Sequence, residues 1–187
     1  MQPPEEVDAG PVTLRPWRPD DLDAMARAVT ESVEHLRPWM PWVAAEPMPR
    51  DDRAALIVEF RRQWDAGESF VYGIFAAVGG EPVGGTGLHP RIGPGGVEIG
   101  YWVHPAWVGQ GIATAATRAL TTAAFALPGI DRVEVHHDKA NVASSRIPSK
   151  LGFTLVAEVP DPPTAPGEMG TECQWRVTRP EWHPSPV

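Results

Sequence analysis

Hydrophobic positions in the first 90 residues change their spacing along the chain, and each spacing is typical of one kind of element. Apolar and polar residues alternate in VTLRPW (12–17), which predicts a short strand. Apolar runs on both sides of Gly79-Gly80 predict a β-hairpin with a tight turn. Between them we expect three helical segments, the second of them interrupted by prolines: RPDDLDAMARAV (18–29), EHLRPWMPW (34–42) and RDDRAALIVEFRRQWDAG (50–67).

The second half of the chain predicts strands that alternate with helices. Asn141 is a suitable N-cap for the shorter of two helices, and Gly152 a suitable stop. The complete order of elements, β-α-α-α-β-β-β-α-β-α-β-β, indicates an α/β (α+β) fold with a mixed sheet and one β-α-β unit. The elements expected here are the strand 97–104, a helix from about 109 to 126, the strand 132–137, the helix 141–152, and the strands 153–159 and 172–179.

Length and composition indicate one domain over residues 1–187, with flexible tails at about 1–11 and 180–187. Cys173 is the only cysteine, which excludes a disulfide framework and fits a reducing cytoplasm. The N-terminal residues lack the features of a signal peptide, and we find no apolar run that could span a bilayer. We therefore expect a cytoplasmic protein without a membrane partner.

The formal net charge of −8 argues against nucleic acid as the main partner, because phosphate binding needs a basic surface. A negative surface agrees with a cationic substrate such as an amine. The same charge could equally serve only to keep the protein in solution.

The stretch WVGQGIATAA (107–116) places two glycines immediately before an alanine-rich helix. The start of a helix offers unpaired main-chain N–H groups and a partial positive charge, so glycines there can admit a phosphate group without any cationic side chain. The sequence fits neither a Walker loop nor the full dinucleotide fingerprint. A glycine-rich turn packed tightly against a sheet would explain the same residues.

Two longer stretches in this order, YWVHPAWVGQGIATAATRAL and NVASSRIPSKLGF, closely resemble the GNAT superfamily of acyl-CoA-dependent N-acetyltransferases. The match extends from about Val97 to Phe153. The stretches LRPW, HLRPWMPW and EIGYWV are similar to the branch that contains the ribosomal-protein alanine N-acetyltransferases. The resemblance implies a mixed sheet of six to seven strands with flanking helices, in which the two central parallel strands splay apart and hold acetyl-CoA.

The resemblance also implies a set of cofactor-binding residues. Trp102 and Val103 would meet the pantetheine arm and the acetyl carbonyl through main-chain atoms. Asn141 would reach pantetheine through its amide, and Ser144 would lie near the thiol. Val108 stands where the family usually has glutamine or arginine, and Pro148 should kink the helix that contains it. The pyrophosphate would be held by a continuous segment: Val108, Gly109, Gln110, Gly111, Ile112, Ala113 and Thr114.

Acetyl transfer needs a neutral amine and a proton for the departing thiolate. We predict Glu98 as the base, with a pKa raised by burial in an apolar strand, although the same glutamate could instead hold neighbouring loops. Many members of the family use a tyrosine beyond the asparagine motif as the acid, but Tyr72 and Tyr101 both lie upstream of it. We therefore predict Ser144 as the acid, with Ser145 as the second choice; a helix-capping role would suit Ser144 equally well.

Other candidate side chains have more ordinary explanations. His136, His137 and Asp138 are consecutive in a strand, so the two histidines point to opposite faces and we predict no metal site. Trp39, Trp42 and Trp64 would line an acceptor pocket by the resemblance, or would serve in packing.

The sequence therefore predicts an enzyme that moves acetyl directly from acetyl-CoA to a primary amine. The acceptor is a protein N-terminal α-amine or a small amine such as a polyamine or an aminoglycoside. A catalytically silent acyl-CoA-binding module is the alternative. The resemblance also favours a homodimer.

Overall fold

The computed structural model describes residues 2–183, whose strands form a single mixed sheet. The spatial order of the eight strands is β1-β2-β3-β4-β5-β6-β8-β7. Neighbours are antiparallel except for the central pair, β5 and β6, which run parallel. The strands are β1 Val7–Asp8, β2 Val12–Arg15, β3 Phe70–Ala76, β4 Pro82–His89, β5 Gly96–Val103, β6 Arg132–Asp138, β7 Thr154–Pro160 and β8 Thr171–Thr178.

The described residues also contain four α-helices and four short 3-10 turns, the last of which follows the final strand. The longest helix stops at Gly67, which takes the left-handed conformation (φ 72°) expected of a glycine stop. The α-helices are α1 Leu22–Leu36, α2 Arg50–Ala66, α3 Ile112–Ala126 and α4 Val142–Lys150. The 3-10 turns are Pro19–Asp21, Pro41–Ala45, Pro105–Trp107 and Arg179–Glu181.

The expected fold class is confirmed, with one strand more than the six to seven predicted. The additional strand is β1, whose two residues are too few to show an alternation, and it pairs with β2 through Val7 and Leu14. This strand falls within the segment 1–11, which we expected to be a flexible tail. At the other end Trp182 packs against Phe125 and Phe153. Residues 184–187 of the second predicted tail, and Met1, lie outside the described residues.

The two central strands separate at their carboxyl ends, as predicted. Residues Gly96–Glu98 of β5 pair with Arg132–Glu134 of β6, and the pairing stops there although both strands continue. The remaining lengths of β5 and β6 border a gap, which we call the strand gap. It begins beyond Glu98 and Glu134 and extends towards Val103 and Asp138, where the two strands end.

The alternation of β5 sends its side chains to two different layers. Val97, Ile99, Tyr101 and Val103 belong to the main core, to which α3 contributes Ile112, Ala116, Leu120 and Ala124, spaced four residues apart along one helix face. Glu98, Gly100 and Trp102 face the opposite side, where Trp102 packs against a cluster formed with α1 and α2. The strand gap therefore connects two chemically different faces of the sheet.

Among residues 2–183, the structure contains no helix with the length and apolar character needed to cross a membrane.

Candidate active site

The edge of β5 that borders the strand gap offers free main-chain groups. The His104 N–H donates to the Val83 carbonyl at 2.8 Å, which marks this pair as hydrogen-bonded. Hydrogen bonds alternate along an antiparallel ladder, so even-numbered residues of β5 bond to β4 and odd-numbered ones face the gap. Val103 thus directs its N–H and carbonyl towards the gap, and its contact with the cofactor stays a prediction. The main-chain N–H and carbonyl of Trp102 are directed to Gly85 of β4 instead. The residue before it, Tyr101, is odd-numbered and directs its main-chain groups to the gap.

The glycine loop lies at the carboxyl end of β5 and leads into α3. Gly109 and Gly111 both have φ of 80°, a left-handed conformation that costs other residues about 1–2 kcal/mol. A Cβ added to either residue would meet nothing within 4 Å. Tight packing against the sheet therefore does not explain these glycines. Their conformation does, and the main chain beside them is left open to a ligand.

The first turn of α3 leaves amides for such a ligand. The helix has no side-chain cap at Gly111, and its first hydrogen bond runs from the Ala115 N–H to the Gly111 carbonyl at 2.9 Å. The N–H groups of Ile112, Ala113 and Thr114 are consequently without helical partners. Ile112 itself is anchored in the core. Open amides at the positive end of a 15-residue helix fit the pyrophosphate of coenzyme A.

The side chains of the loop take little part in this arrangement. Val108 is 52% exposed, so it provides apolar surface where the family usually has a polar side chain. The Gln110 amide nitrogen donates to the Ala106 carbonyl at 3.0 Å and braces the preceding 3-10 turn. Thr114 lies half-buried in the first turn of α3.

Asn141 and Ser144 meet at the start of α4. The Asn141 Oδ1 accepts from the Ser144 N–H at 3.1 Å, which is the capping bond that the sequence predicted. The cap occupies the amide oxygen and leaves the NH2 group as a donor. Ser144 Oγ lies 3.0 Å from the Tyr101 hydroxyl, which also donates to the Ser144 carbonyl at 3.1 Å. Burial raises the pKa of Tyr101 to about 12, so the phenol stays protonated at neutral pH.

Tyr101 is a site residue that sequence reasoning missed. Its place in the chain, before the asparagine motif, does not indicate a contact with Ser144. Its register on β5 contains the signal that could have identified it, since Tyr101 lies two residues before Val103 and shares its face and edge.

Glu98 is buried, 7% exposed, and is held by Arg91 in a two-pronged ion pair at 2.6 and 2.8 Å. Burial by itself raises the pKa of Glu98, but the hydrogen bonds and charge of Arg91, helped by His136 and His89, bring it below its usual value. The expectation of a raised pKa is therefore wrong. The cause is an arginine in the β4–β5 loop whose position the sequence did not reveal. The role of Glu98 as base stays a prediction.

The same face carries a row of polar groups across four strands. His89, Glu98, Glu134 and Arg176 are register partners on β4, β5, β6 and β8. Glu134 accepts from the Arg176 Nε at 2.7 Å. His136, two residues beyond Glu134, lies on this face too, with its Nδ1 3.9 Å from the Glu98 carboxylate. His136 was considered above only for a metal site, although its alternation with Glu134 along β6 places it on this face.

His137 and Asp138 have separate structural roles, as the alternation predicts. The Trp175 Nε1 donates to His137 Nε2 at 2.9 Å, on the face opposite to His136. The Asp138 carboxylate accepts from main-chain N–H groups that hold the loop before β8. Within residues 2–183 we find no group of three histidine, cysteine or acidic side chains arranged to hold a metal ion.

Trp64 and Trp42, two of the three tryptophans considered for an acceptor pocket, have different surroundings. Trp64 is 1% exposed and packs against Phe70 and Tyr72, so it belongs to the core. Trp42 is 42% exposed, and its ring lies 6.2 Å from that of Trp102. This pair borders the face that carries Glu98, whereas Trp64 does not.

Comparisons with known proteins agree with this geometry. The family profile described as "Acetyltransferase (GNAT) domain" matches residues 12–154. A curated protein of Bacillus subtilis (strain 168), named "Putative ribosomal N-acetyltransferase YdaF", is 31% identical over 147 residues, which cover 76% of this chain and 77% of that protein.

Solved structures give the same result. The structure of Mycobacterium smegmatis RimJ in complex with CoA-disulfide superposes with a TM-score of 0.83 at 26% identity, covering 99% of this chain and 93% of that one. RimL, described as a ribosomal L7/L12 alpha-N-protein acetyltransferase in complex with coenzyme A, has a TM-score of 0.84 at 20% identity, covering 93% of this chain and 98% of its own. The second likeness supports the fold alone.

Proposed function

Because the chain belongs to the GNAT acetyltransferase family and is an acetyl-CoA-dependent N-acetyltransferase, we propose that its acceptor is the α-amine of a protein N-terminus. The relative named "Putative ribosomal N-acetyltransferase YdaF" supports a protein acceptor. The observation that carries the proposal is the strand gap, which has open amides at one end and acidic and imidazole side chains on the face opposite to α3.

The cofactor supplies the activated acetyl group as a thioester. The amides from Gly109 to Thr114 would hold its pyrophosphate, assisted by the positive end of α3. The free edge of β5 would bind the pantetheine arm as an added strand, through the main chain of Tyr101 and Val103. The amide NH2 group of Asn141 is a further donor at the start of α4.

The side chains on the two faces of the sheet at the gap have different roles in the proposed reaction. Ser144, in contact with the protonated Tyr101, is the proton donor that we assign to the departing sulfur. The Val103 N–H is the donor that we assign to the acetyl oxygen. On the other face the ionised Glu98 attracts the cationic acceptor.

The carboxylate and imidazole groups on this face are weak bases, and this favours an α-amine over a lysine as the acceptor. An α-amine has an ordinary pKa near 8, whereas that of lysine lies above 10. At pH 7 the neutral form therefore costs about 1 kcal/mol for an α-amine and about 4–5 kcal/mol for lysine. A carboxylate or an imidazole can therefore deprotonate an α-amine more readily than the side chain of lysine.

The test is a thiol-release assay with acetyl-CoA and a panel of acceptors, followed by mass spectrometry of the products. The panel contains peptides that begin with alanine or serine, the same peptides with a blocked N-terminus and an internal lysine, a polyamine and an aminoglycoside. We expect acetylation only of the free N-termini. Acetylation of the small amines alone would overturn the proposed acceptor. The homodimer and the cytoplasmic location stay predictions.

A further inference from the structure

We propose that His136 Nδ1 is the base that takes the proton from the acceptor amine, with Glu98 and Glu134 as positioning residues. This inference rests on the proposed function, because it concerns the amine that enters the strand gap. It starts from the position of His136, on the part of β6 that has already separated from β5. Its side chain is on the face where Glu98 lies, and 12% of that side chain is exposed.

The contacts of the imidazole determine which nitrogen carries the proton. Nε2 lies 2.7 Å from the Glu134 Oε2, a short bond to a carboxylate. Burial raises the pKa of Glu134, but its bonds to His136 and Arg176 bring it below its usual value, so this carboxylate is ionised and can only accept. Nε2 must therefore hold a hydrogen, which leaves Nδ1 of the neutral ring with a lone pair.

The free nitrogen points at acidic groups without being bound by them. Nδ1 is 3.4 Å from Glu172 Oε1 and 3.9 Å from Glu98 Oε2, both longer than a normal hydrogen bond. Two carboxylates therefore face the N–H group that forms when Nδ1 takes a proton. Glu172 is further held by the amide of Gln174, the register partner of His136 on β8.

Glu98 is less suited to take the proton itself. Both oxygens of this buried carboxylate accept from Arg91, so protonation of Glu98 would break a two-pronged ion pair. Its fixed charge is better suited to hold the ammonium and to support the imidazolium. The groups that face His136 are thus Glu134 on its own strand, Glu98 on β5 with Arg91 behind it, and Glu172 on β8, while Arg176 neutralises Glu134 from the far side.

The proton step balances without another reactant. The N–H bond of the acceptor ammonium breaks, an Nδ1–H bond forms on His136, and the amine keeps the electron pair for its attack. The imidazolium then returns its proton to solvent. Acid and base lie on opposite faces of the sheet, since Tyr101 and Ser144 are on the side of α3 and α4.

The test compares His136→Gln with His137→Gln. The first variant keeps an amide that can donate to Glu134 but has no basic nitrogen, and the second removes the neighbouring imidazole that contacts Trp175 on the other face. We expect H136Q to lower kcat by about 10²–10⁴-fold with acetyl-CoA affinity within a few-fold of the parent, and H137Q to stay near the parent. The remaining H136Q rate should rise tenfold per pH unit below the pKa of the acceptor amine, because solvent must then supply the free amine.

A second measurement does not depend on catalysis. Nitrogen-15 NMR of the imidazoles in the protein without substrates should give the Nε2–H tautomer for His136, with an unprotonated Nδ1. The opposite tautomer would overturn the inference, as would parent-like kcat in H136Q. If Glu98→Gln lost activity while H136Q kept it, Glu98 would be the base. A parent protein that acetylates none of the panel would contradict the proposed function instead, and the tautomer would still be decided by NMR.

Discussion

The Tyr101 hydroxyl donates to the Ser144 carbonyl at 3.1 Å, a carbonyl that lacks its own helical donor. The residue four positions later, which would normally donate to it, is Pro148, and proline has no N–H. The Tyr101 hydroxyl from β5 thus replaces the hydrogen-bond donor that Pro148 lacks. Helix α4, which we expected Pro148 to kink, continues through the proline to Lys150. The same hydroxyl lies 3.0 Å from Ser144 Oγ.

We predict that Tyr101→Phe lowers both stability and turnover. Loss of a buried hydrogen bond should cost about 1 kcal/mol in the free energy of unfolding. If Tyr101 orients Ser144 as a proton donor, kcat should also fall by about tenfold or more, with little change in acetyl-CoA affinity. Urea unfolding, steady-state kinetics and calorimetric titration with acetyl-CoA would measure the three quantities.

Ser144→Ala and the double variant provide the control for this prediction. S144A should reduce kcat at least as much as Y101F, and the two losses should not add in the double variant, because they interrupt one path. Additive losses in kcat would show that Tyr101 acts independently of Ser144. An unchanged kcat in Y101F would show that the hydroxyl of Tyr101 has only a structural role.

The glycine loop gives a prediction with a matched control. Gly111→Ala and Gly67→Ala each place an alanine at a left-handed position, φ 80° and 72°, where the added Cβ meets nothing within 4 Å. Each should therefore lose about 1–2 kcal/mol of stability from backbone strain. Only G111A should weaken coenzyme A binding, tenfold or more by calorimetry, because Gly67 lies at the end of α2. Equal affinities in the two variants would place the pyrophosphate elsewhere.

The sequence was sufficient where local pattern decides the structure. The alternation of β5, the cap at Asn141 and the stop at Gly67 all follow from neighbouring residues, and the resemblance supplied the splayed strands. It was insufficient where partners come from distant segments. The pKa of Glu98 depends on Arg91, and Tyr101 reaches Ser144 from 43 residues away. Such pairs are set by strand register and helix placement, which no short window of sequence contains.

The glycine at position 85 accommodates the Trp102 ring on the face that carries Glu98. A Cβ built on Gly85 would lie 2.5 Å from Trp102 Nε1, too close to coexist with the ring. We expect Gly85→Ala to cost about 1–3 kcal/mol through overpacking and to displace Trp102 from its place beside Trp42. Gly100→Ala is the comparison, since its nearest neighbour, His89 Nε2, would be at an ordinary 3.7 Å. A urea series in which both variants match the parent would contradict this account.

His89 should make the stability of the protein depend on pH. Burial, together with the charge of Arg91, lowers its pKa to about 4, whereas an unfolded histidine titrates near 6.5. The folded protein therefore favours neutral His89, and this stabilisation is complete above about pH 6.5. As the pH falls towards 4 the unfolded chain binds a proton that the folded one does not, and up to about 1.4 kcal/mol is lost per pH unit.

We predict that His89→Gln removes this contribution while its amide can still contact Ser69, which bonds to His89 Nδ1 at 2.9 Å. Between pH 7 and pH 5 the variant should lose about 1–2 kcal/mol less free energy of unfolding than the parent. The carboxyls of Glu98 and Glu134, whose pKa values are lowered from the ordinary 4.5, titrate below this window and do not obscure it. Urea titrations of both proteins at pH 7, 6 and 5 provide the measurement. Equal losses of unfolding free energy in the parent and the variant would show that His89 is protonated as readily in the folded protein as in the unfolded chain.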